Sequence, residues 1–168
     1  MRGIALAALM IAVAPASAAP IDFECDVPPN RFSSVDQVFN AAPVTLAGKV
    51  SLVLARKGNY RALAGARLSS ADAANSIGFR IIGDGKPDGG FSIVMNSKRA
   101  GAAKRSEIGA LPNAVPDLAF AISLAPDGKA EVRVGNHVGR AALDPIAAGK
   151  GRVFCSSGQF GFAGVELR

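Results

Sequence analysis

Glycine and proline set the limits on what this chain can fold into. Nineteen glycines and ten prolines recur at short intervals along it, and each interrupts the 3.6-residue apolar period that a helix needs. What survives between them is a series of short runs in which apolar and polar residues alternate, each followed by turn residues. That pattern predicts an all-β protein, a two-sheet antiparallel β-sandwich built from eleven or twelve short strands. No internal repeat of fixed period is visible.

The last run, Gly151 to Arg168 (GRVFCSSGQFGFAGVELR), organises the rest. Phe160 and Phe162 share one face of an extended strand, whereas Val165 and Leu167 have the opposite parity. A β-bulge at Ala163–Gly164 would bring all four to the core side. Cys155 lies in this run, and the only other cysteine, Cys25, lies near the start of the folded part. A Cys25–Cys155 bond would staple the first strand to the last, stabilising the fold by roughly 5 kcal/mol in the chain-entropy model. Two buried thiols that never meet are the alternative.

An oxidising compartment is expected from the first eighteen residues. Arg2 supplies a positive start, Ile4 to Ala14 is apolar, and Ala16-Ser17-Ala18 is a small-x-small cleavage site, the three parts of a secretory signal peptide. The apolar run is shorter than the roughly twenty residues a spanning helix requires. No cysteine follows the small residues, so no lipid attachment is expected there. Residues 19–168 would then form one exported, soluble β-sandwich domain with no transmembrane segment, in the periplasm or outside the cell.

Within that domain, Ile21 to Asp26 reads as a first strand ended by Pro28-Pro29, and Val35 to Phe39 as a weak second one. Lys49 to Ala55 is a clear strand, turned by Lys57-Gly58-Asn59 into Tyr60 to Leu68. Ser70 to Asn75 reads as a loop or single helical turn capped by Ser70, and Ser76 to Ile82 as a strand. Gly83 to Gly90 is turn chemistry and Phe91 to Met95 a strand. Asn96 to Ala103 reads as a basic loop, Ser106 to Leu111 as a strand, and Pro112 to Pro116 as a further loop. Ala119 to Leu124, Pro126-Asp127-Gly128 and Glu131 to Val134 form the best hairpin, with Phe120, Ile122, Leu124, Val132 and Val134 inward. His137 to Leu143 and Val153 to Leu167 close the series.

The formal net charge of +6 favours acidic partners such as phosphorylated or sulfated glycans, lipid headgroups or nucleic acid, and it also serves solubility. Lys98, Arg99, Lys104 and Arg105 are the densest basic patch. With Arg56, Lys57 and Arg61 they are the candidate site for an anionic ligand. The competing reading is a solvated loop whose charges protect a sheet edge. Nine phenylalanines and one tyrosine read as core, so nucleic acid is not expected as a partner.

Other chemistry is thin. His137, the sole histidine, has no acidic neighbour in sequence and reads as a polar turn residue. Ser156 and Ser157 lack the G-x-S-x-G setting of a nucleophile and read as strand residues. Asp84, Lys86, Asp88 and Gly89 resemble part of a calcium loop, but lysine stands at the third position and Met95 where the closing glutamate belongs. No catalytic residue, metal or cofactor is assigned, with calcium in an irregular loop as the residual alternative.

The central hairpin FAISLAPDGKAEVRV, the following NHVGRAAL strand and the closing CSSGQFGFAGVEL strand together resemble the concanavalin A-like lectin/glucanase superfamily, the laminin-G-like jelly rolls. The resemblance covers most of the chain after residue 18. It implies two antiparallel sheets, one concave and often carbohydrate-binding. Its hydrolase branch carries a Glu-x-Asp-x-Glu type strand, and the nearest match here is Asp22, Glu24 and Asp26. These alternate onto one face about 6.6 Å apart, a spacing compatible with a two-carboxylate glycosidase. The order of acids differs, however, and there is no tryptophan to stack on a sugar. The expectation is therefore a non-enzymatic exported domain that binds a glycan or envelope component. A carbohydrate-active enzyme using Asp22, Glu24 or Asp26, and a structural protein-interaction module, are the rivals.

Overall fold

A computed structural model describes residues 19–85, 89–112 and 117–168; the expected signal peptide, residues 1–18, lies outside them. Lys86 to Asp88 of the candidate calcium loop and residues 113–116 also lie outside. Among the described residues there are ten strands and no helix. They are β1 (Ile21–Phe39), β2 (Val44–Ala55), β3 (Leu63–Ser70), β4 (Ser76–Gly83) and β5 (Phe91–Arg99), followed by β6 (Ala102–Leu111), β7 (Leu118–Leu124), β8 (Lys129–Val134), β9 (His137–Ala142) and β10 (Gly149–Leu167).

Every pairing is antiparallel, and β10 holds the arrangement together. Along one edge it pairs with β1 over nearly its whole length. Along the other, Gly149–Ser156 pair with β3 and Gly158–Leu167 pair with β2. The two long strands therefore pass from one layer to the other. The first layer is β3 to β6 with the later half of β1 and the earlier half of β10. The second is β2, β7, β8 and β9 with the remaining halves. The layers meet face to face, as where the rings of Phe79 (β4) and Phe120 (β7) lie 5.3 Å apart. Counted by layer, β1 and β10 each contribute twice, which is how eleven or twelve short runs in the sequence become ten strands.

The expected core is found. Phe160, Phe162, Val165 and Leu167 are all buried. The register against β2 shifts between Ala163 and Glu166, where Gly164 takes φ +58°, a conformation glycine adopts freely. The β7–β8 hairpin buries Phe120, Ile122, Leu124, Val132 and Val134, and its turn uses Gly128 at φ +83°.

Three expectations change. Pro28-Pro29 do not end the first strand; β1 resumes after a register shift between Val27 and Phe32, because proline's missing donor is tolerated at a bulge. Residues 57–59 do not close a hairpin. β2 and β3 both pair with β10, so this segment crosses between layers, leaving Tyr60 67% exposed while Ala62, Ala64, Ala66 and Leu68 are buried. Asn96 to Ala103 is not a loop but the tip of the β5–β6 hairpin, turned by Ala100 and Gly101 at φ +46° and +84°. Two residues with positive φ make the tight turn whose twist matches paired strands.

The corner where β1 and β10 change layers is built from polar residues. Ser157 is fully buried at φ +52°. Its Oγ accepts from the Asn30 amide at 3.0 Å, and its carbonyl accepts from the Arg56 amide at 3.1 Å. Ser156 Oγ donates to the Arg31 carbonyl at 2.7 Å. The backbone groups that the bend removes from the ladder are thereby satisfied. Cys25 and Cys155 are bonded across this corner with Cα atoms 6.0 Å apart and 130 positions apart in sequence. Both are fully buried, so the bond ties the second-layer part of β1 to the first-layer part of β10.

Candidate functional site on the outer face of the first layer

Alternation along β3 to β6 sends Ala64, Ala66, Leu68, Ile77, Phe79, Ile81, Ile93 and Met95 into the core. The intervening residues form the outer face, and the register sets them in rows across the strands. One row reads Asp36, Arg152, Arg67, Gly78, Asn96, Arg105. The next reads Ser34, Phe154, Gly65, Arg80, Val94, Glu107. A third includes Lys150, Ser69, Ser76 and Lys98.

This face is recessed. Phe154 and Val94 have only 7% and 3% of their surface exposed, yet neither belongs to the core between the layers. They are buried from the outside by their neighbours. Phe154 packs on Phe32 with ring centres 5.7 Å apart and lies over Gly65, where an added Cβ would sit 2.8 Å from its ring. At Gly78 a Cβ would meet the Ala66 carbonyl at 2.3 Å and the Arg67 stem at 2.9 Å. Two glycines, Gly78 directly opposite Arg67 and Gly65 directly opposite Arg80, keep the sheet surface low. A cleft of about 360 Å³ opens here, bordered by Arg67, Gly78, Arg80, Lys98, Arg105 and Phe154.

Its charge is one-sided. Asp36 is held by Arg152 through two bonds, Nε to Oδ1 at 2.5 Å and Nη2 to Oδ2 at 2.6 Å. The hydrogen bond from Arg152, and then its charge with those of Lys150 and Arg67, keep the Asp36 carboxyl below the usual carboxylate range against the opposing effect of burial. Arg67 is left over. Burial first, and then the charges of Arg152 and Arg80, lower its pKa from the ordinary guanidinium value, though arginine stays a cation throughout. Its Nε is buried with no hydrogen-bond partner among the described residues. A donor left in that state costs on the order of 1–3 kcal/mol.

No protein-family model matches the chain, and no curated protein matches its sequence. Solved structures match its shape. An apo Crh5 transglycosylase aligns at 8% identity over 91% of this chain and 75% of that one, with a TM-score of 0.61. A Bacillus licheniformis β-glucanase aligns at 11% identity over 87% and 76%, with a TM-score of 0.54. A toad ovary galectin in complex with thio-digalactose aligns at 16% identity over 80% and 98%, with a TM-score of 0.51. The fold is the concanavalin A-like jelly roll.

The jelly roll divides the four cations read together in the sequence. Lys98 and Arg105 lie on the outer face, each paired across the hairpin with a residue of the same side. Arg99 and Lys104 have the opposite parity. Arg99 is ion-paired with Asp144 at 2.9 Å, while Lys104 borders the end of the cleft. Lys98 Nζ donates to the Ala73 carbonyl at 3.0 Å. Arg56, Lys57 and Arg61 do not join them. They line a separate cleft of about 450 Å³ near Gly83 and Phe91, whereas Lys98 pairs with Ser76 at the other end of β4, about 23 Å away at strand rise.

The other candidates fall elsewhere in the jelly roll. Asp22, Glu24 and Asp26 share the outer face of the second layer, as alternation predicts. Asp22 accepts from the Gly164 amide at 2.8 Å, and Asp26 is ion-paired with Arg56. His137 opens β9, not a turn, with its ring against Gly109, where an added Cβ would lie 2.1 Å from Nδ1. Ser156 and Ser157 are strand residues of β10, as expected, with Ser157 at its corner. Sequence reasoning missed Arg67, Arg80 and Arg152. Each stands alone amid apolar or small neighbours, and what joins them is the register of β10 between β1 and β3.

Proposed function

We propose that this jelly roll is a non-enzymatic, exported carbohydrate-binding domain, and that it takes its glycan along the outer face of the first layer. The observation that carries the reading is the recess. A sheet surface whose Phe154 and Val94 are buried from outside, over Gly65 and Gly78, and whose walls carry guanidinium and amide groups, has the mix of apolar floor and few polar groups that ligand sites share. The galectin aligned above is described in complex with a sugar analogue, which supports a glycan as the ligand class. The buried Cys25–Cys155 bond supports an oxidising compartment, since such bonds persist there. Calcium is not needed for this reading.

A glycan array probed with the purified chain over a salt series tests it. Retention that weakens as salt rises is expected if the cationic face is the site. Retention of no glycan at any salt would overturn the reading. The same polysaccharides assayed for new reducing ends decide the rival: sugar release abolished by Glu24→Gln would make the protein a glycoside hydrolase and displace the binding role.

A further inference from the structure

We infer that the cluster of Arg67, Arg80 and Arg152 is an oxyanion subsite, so that the glycan is an acidic one, bearing carboxylate or sulfate on its sugar rings. The inference rests on the binding role proposed above and narrows it. Three guanidinium groups stand on adjacent strands of one sheet face. Arg152 is directly opposite Arg67, and Arg80 is set diagonally across from it. Like charges placed this way repel and weaken a sheet. A folded protein would be expected to interleave acids, and among the described residues this face offers only Asp36, opposite Arg152, and Glu107, two strands from Arg80. Both oxygens of Asp36 are taken by Arg152. Arg67 therefore keeps an unused, preformed fork, with its Nε buried and unpartnered among the described residues. The residues opposite Arg67 and Arg80 on the neighbouring strands are Gly78 and Gly65. Planar guanidinium donors match the paired oxygens of a carboxylate or sulfate.

The sole strong alternative is that the cluster attracts any polyanion by net charge, and the experiment is built to separate the two. Binding of the purified chain to polygalacturonate, dextran sulfate and neutral pullulan is measured at one fixed ionic strength, for the wild type, Arg67→Gln and Lys49→Gln. Lys49 is exposed on the second layer, so Lys49→Gln removes the same charge from the other face. If the subsite exists, an acidic polymer binds, Arg67→Gln weakens it by at least about tenfold, as loss of a charged hydrogen-bond donor implies, and Lys49→Gln by less than about twofold. Preference for polygalacturonate or for dextran sulfate then says which oxyanion is held. Equal losses in the two variants would overturn the inference, leaving only net-charge attraction. Tight pullulan binding untouched by Arg67→Gln would overturn it too, yet leave the glycan-binding role standing. Retention of none of the three overturns it as well, and the glycan array then decides the wider role separately.

Discussion

The two outer faces of this jelly roll have the same architecture and different electrostatics, the first cationic and the second nearly balanced. The first carries Arg67, Arg80, Lys98, Arg105, Lys150 and Arg152 against Asp36 and Glu107. The second carries Lys49, Lys129, Arg133 and Arg140 against Asp22, Glu24, Asp26, Glu131 and Glu166. On the second face the charges are interleaved and several are paired. Glu131 accepts from both Arg133 and Arg140 at 2.8 Å, and Arg168 meets Glu166 at 2.6 Å. Between them lie small side chains, Ala47, Ala119 and Ala121. On the first face two acids stand against six cations, and only Asp36 is ion-paired there among the described residues. A modest net charge is thus not a property of the whole surface but of one side of one sheet, and opposite-sign pairing marks the other side as ordinary solvated surface.

If the contrast is real, the shared frame should matter more than either face. The Cys25–Cys155 bond joins the layers where β1 and β10 turn, and removing it should cost more stability than any change confined to one face. Closing a loop of 130 positions contributes up to about 5 kcal/mol in the chain-entropy model. Urea unfolding of the oxidised chain against Cys25→Ser/Cys155→Ser measures it. Equal midpoints would mean that the corner is held by Ser157 and its hydrogen bonds instead.

The next effect separates the faces by shape. Gly78→Val places a branched side chain where even a Cβ meets the Ala66 carbonyl at 2.3 Å, and overpacking of this kind costs about 3 kcal/mol. The matched change on the second face, Ala121→Val, adds bulk at a half-buried, outward-facing position and should cost less than about 0.5 kcal/mol. Thermal unfolding of the pair is the check, and similar losses would mean that the first face is no more recessed than the second.

A third effect depends on pH. Asp36 has a lowered pKa because of Arg152, so its contribution is fully present above the ordinary carboxylate range near pH 4. It is lost as pH falls below that range and through the lowered value in the folded protein. Asp36→Asn should therefore cost up to about 1 kcal/mol at pH 7 for this partly exposed, bidentate pair. The difference from wild type should shrink on acidification and vanish once both states of Asp36 are protonated. Urea titrations at pH 7 and near pH 2 would show it, and a gap that persists in acid would assign the loss to packing.

How much of this contrast could be read beforehand follows from period and register. Strand parity is local, so the burial of Phe160 and Phe162, the bulge at Gly164 and the hairpin around Pro126-Asp127-Gly128 were all legible. So was the alternation that puts Asp22, Glu24 and Asp26 together. Pairing between distant strands is not local. Arg152 and Arg67 lie 85 positions apart by their numbers and become neighbours only because β10 inserts beside β3. The cluster Lys98, Arg99, Lys104 and Arg105 was legible only in part for the converse reason: Lys98, Lys104 and Arg105 border the cleft, whereas Arg99 pairs with Asp144. Proximity in sequence at a hairpin tip says nothing of side, and a two-residue turn sends alternate cations to opposite faces. Pro28-Pro29 misled in another way, since a proline stops a ladder only where its missing donor is needed.

The smallest effect is the most discriminating, because it changes sign between faces. Arg133 on β8 is paired with Glu131, so Arg133→Met removes a weak attraction and should lower stability by about 0.3 kcal/mol. Arg67 has a buried, unpartnered Nε and two guanidinium neighbours. Arg67→Met keeps the apolar stem while removing a repelled, partly desolvated charge, so it should raise stability by about 0.5 kcal/mol. Chemical denaturation of the two variants side by side, in low salt where exposed charges are least screened, reads both signs at once. A site that holds charge at a cost to the fold is the expected signature of one shaped for a ligand. If Arg67→Met destabilises as Arg133→Met does, Arg67 is an ordinary structural side chain, and the two faces differ in composition alone.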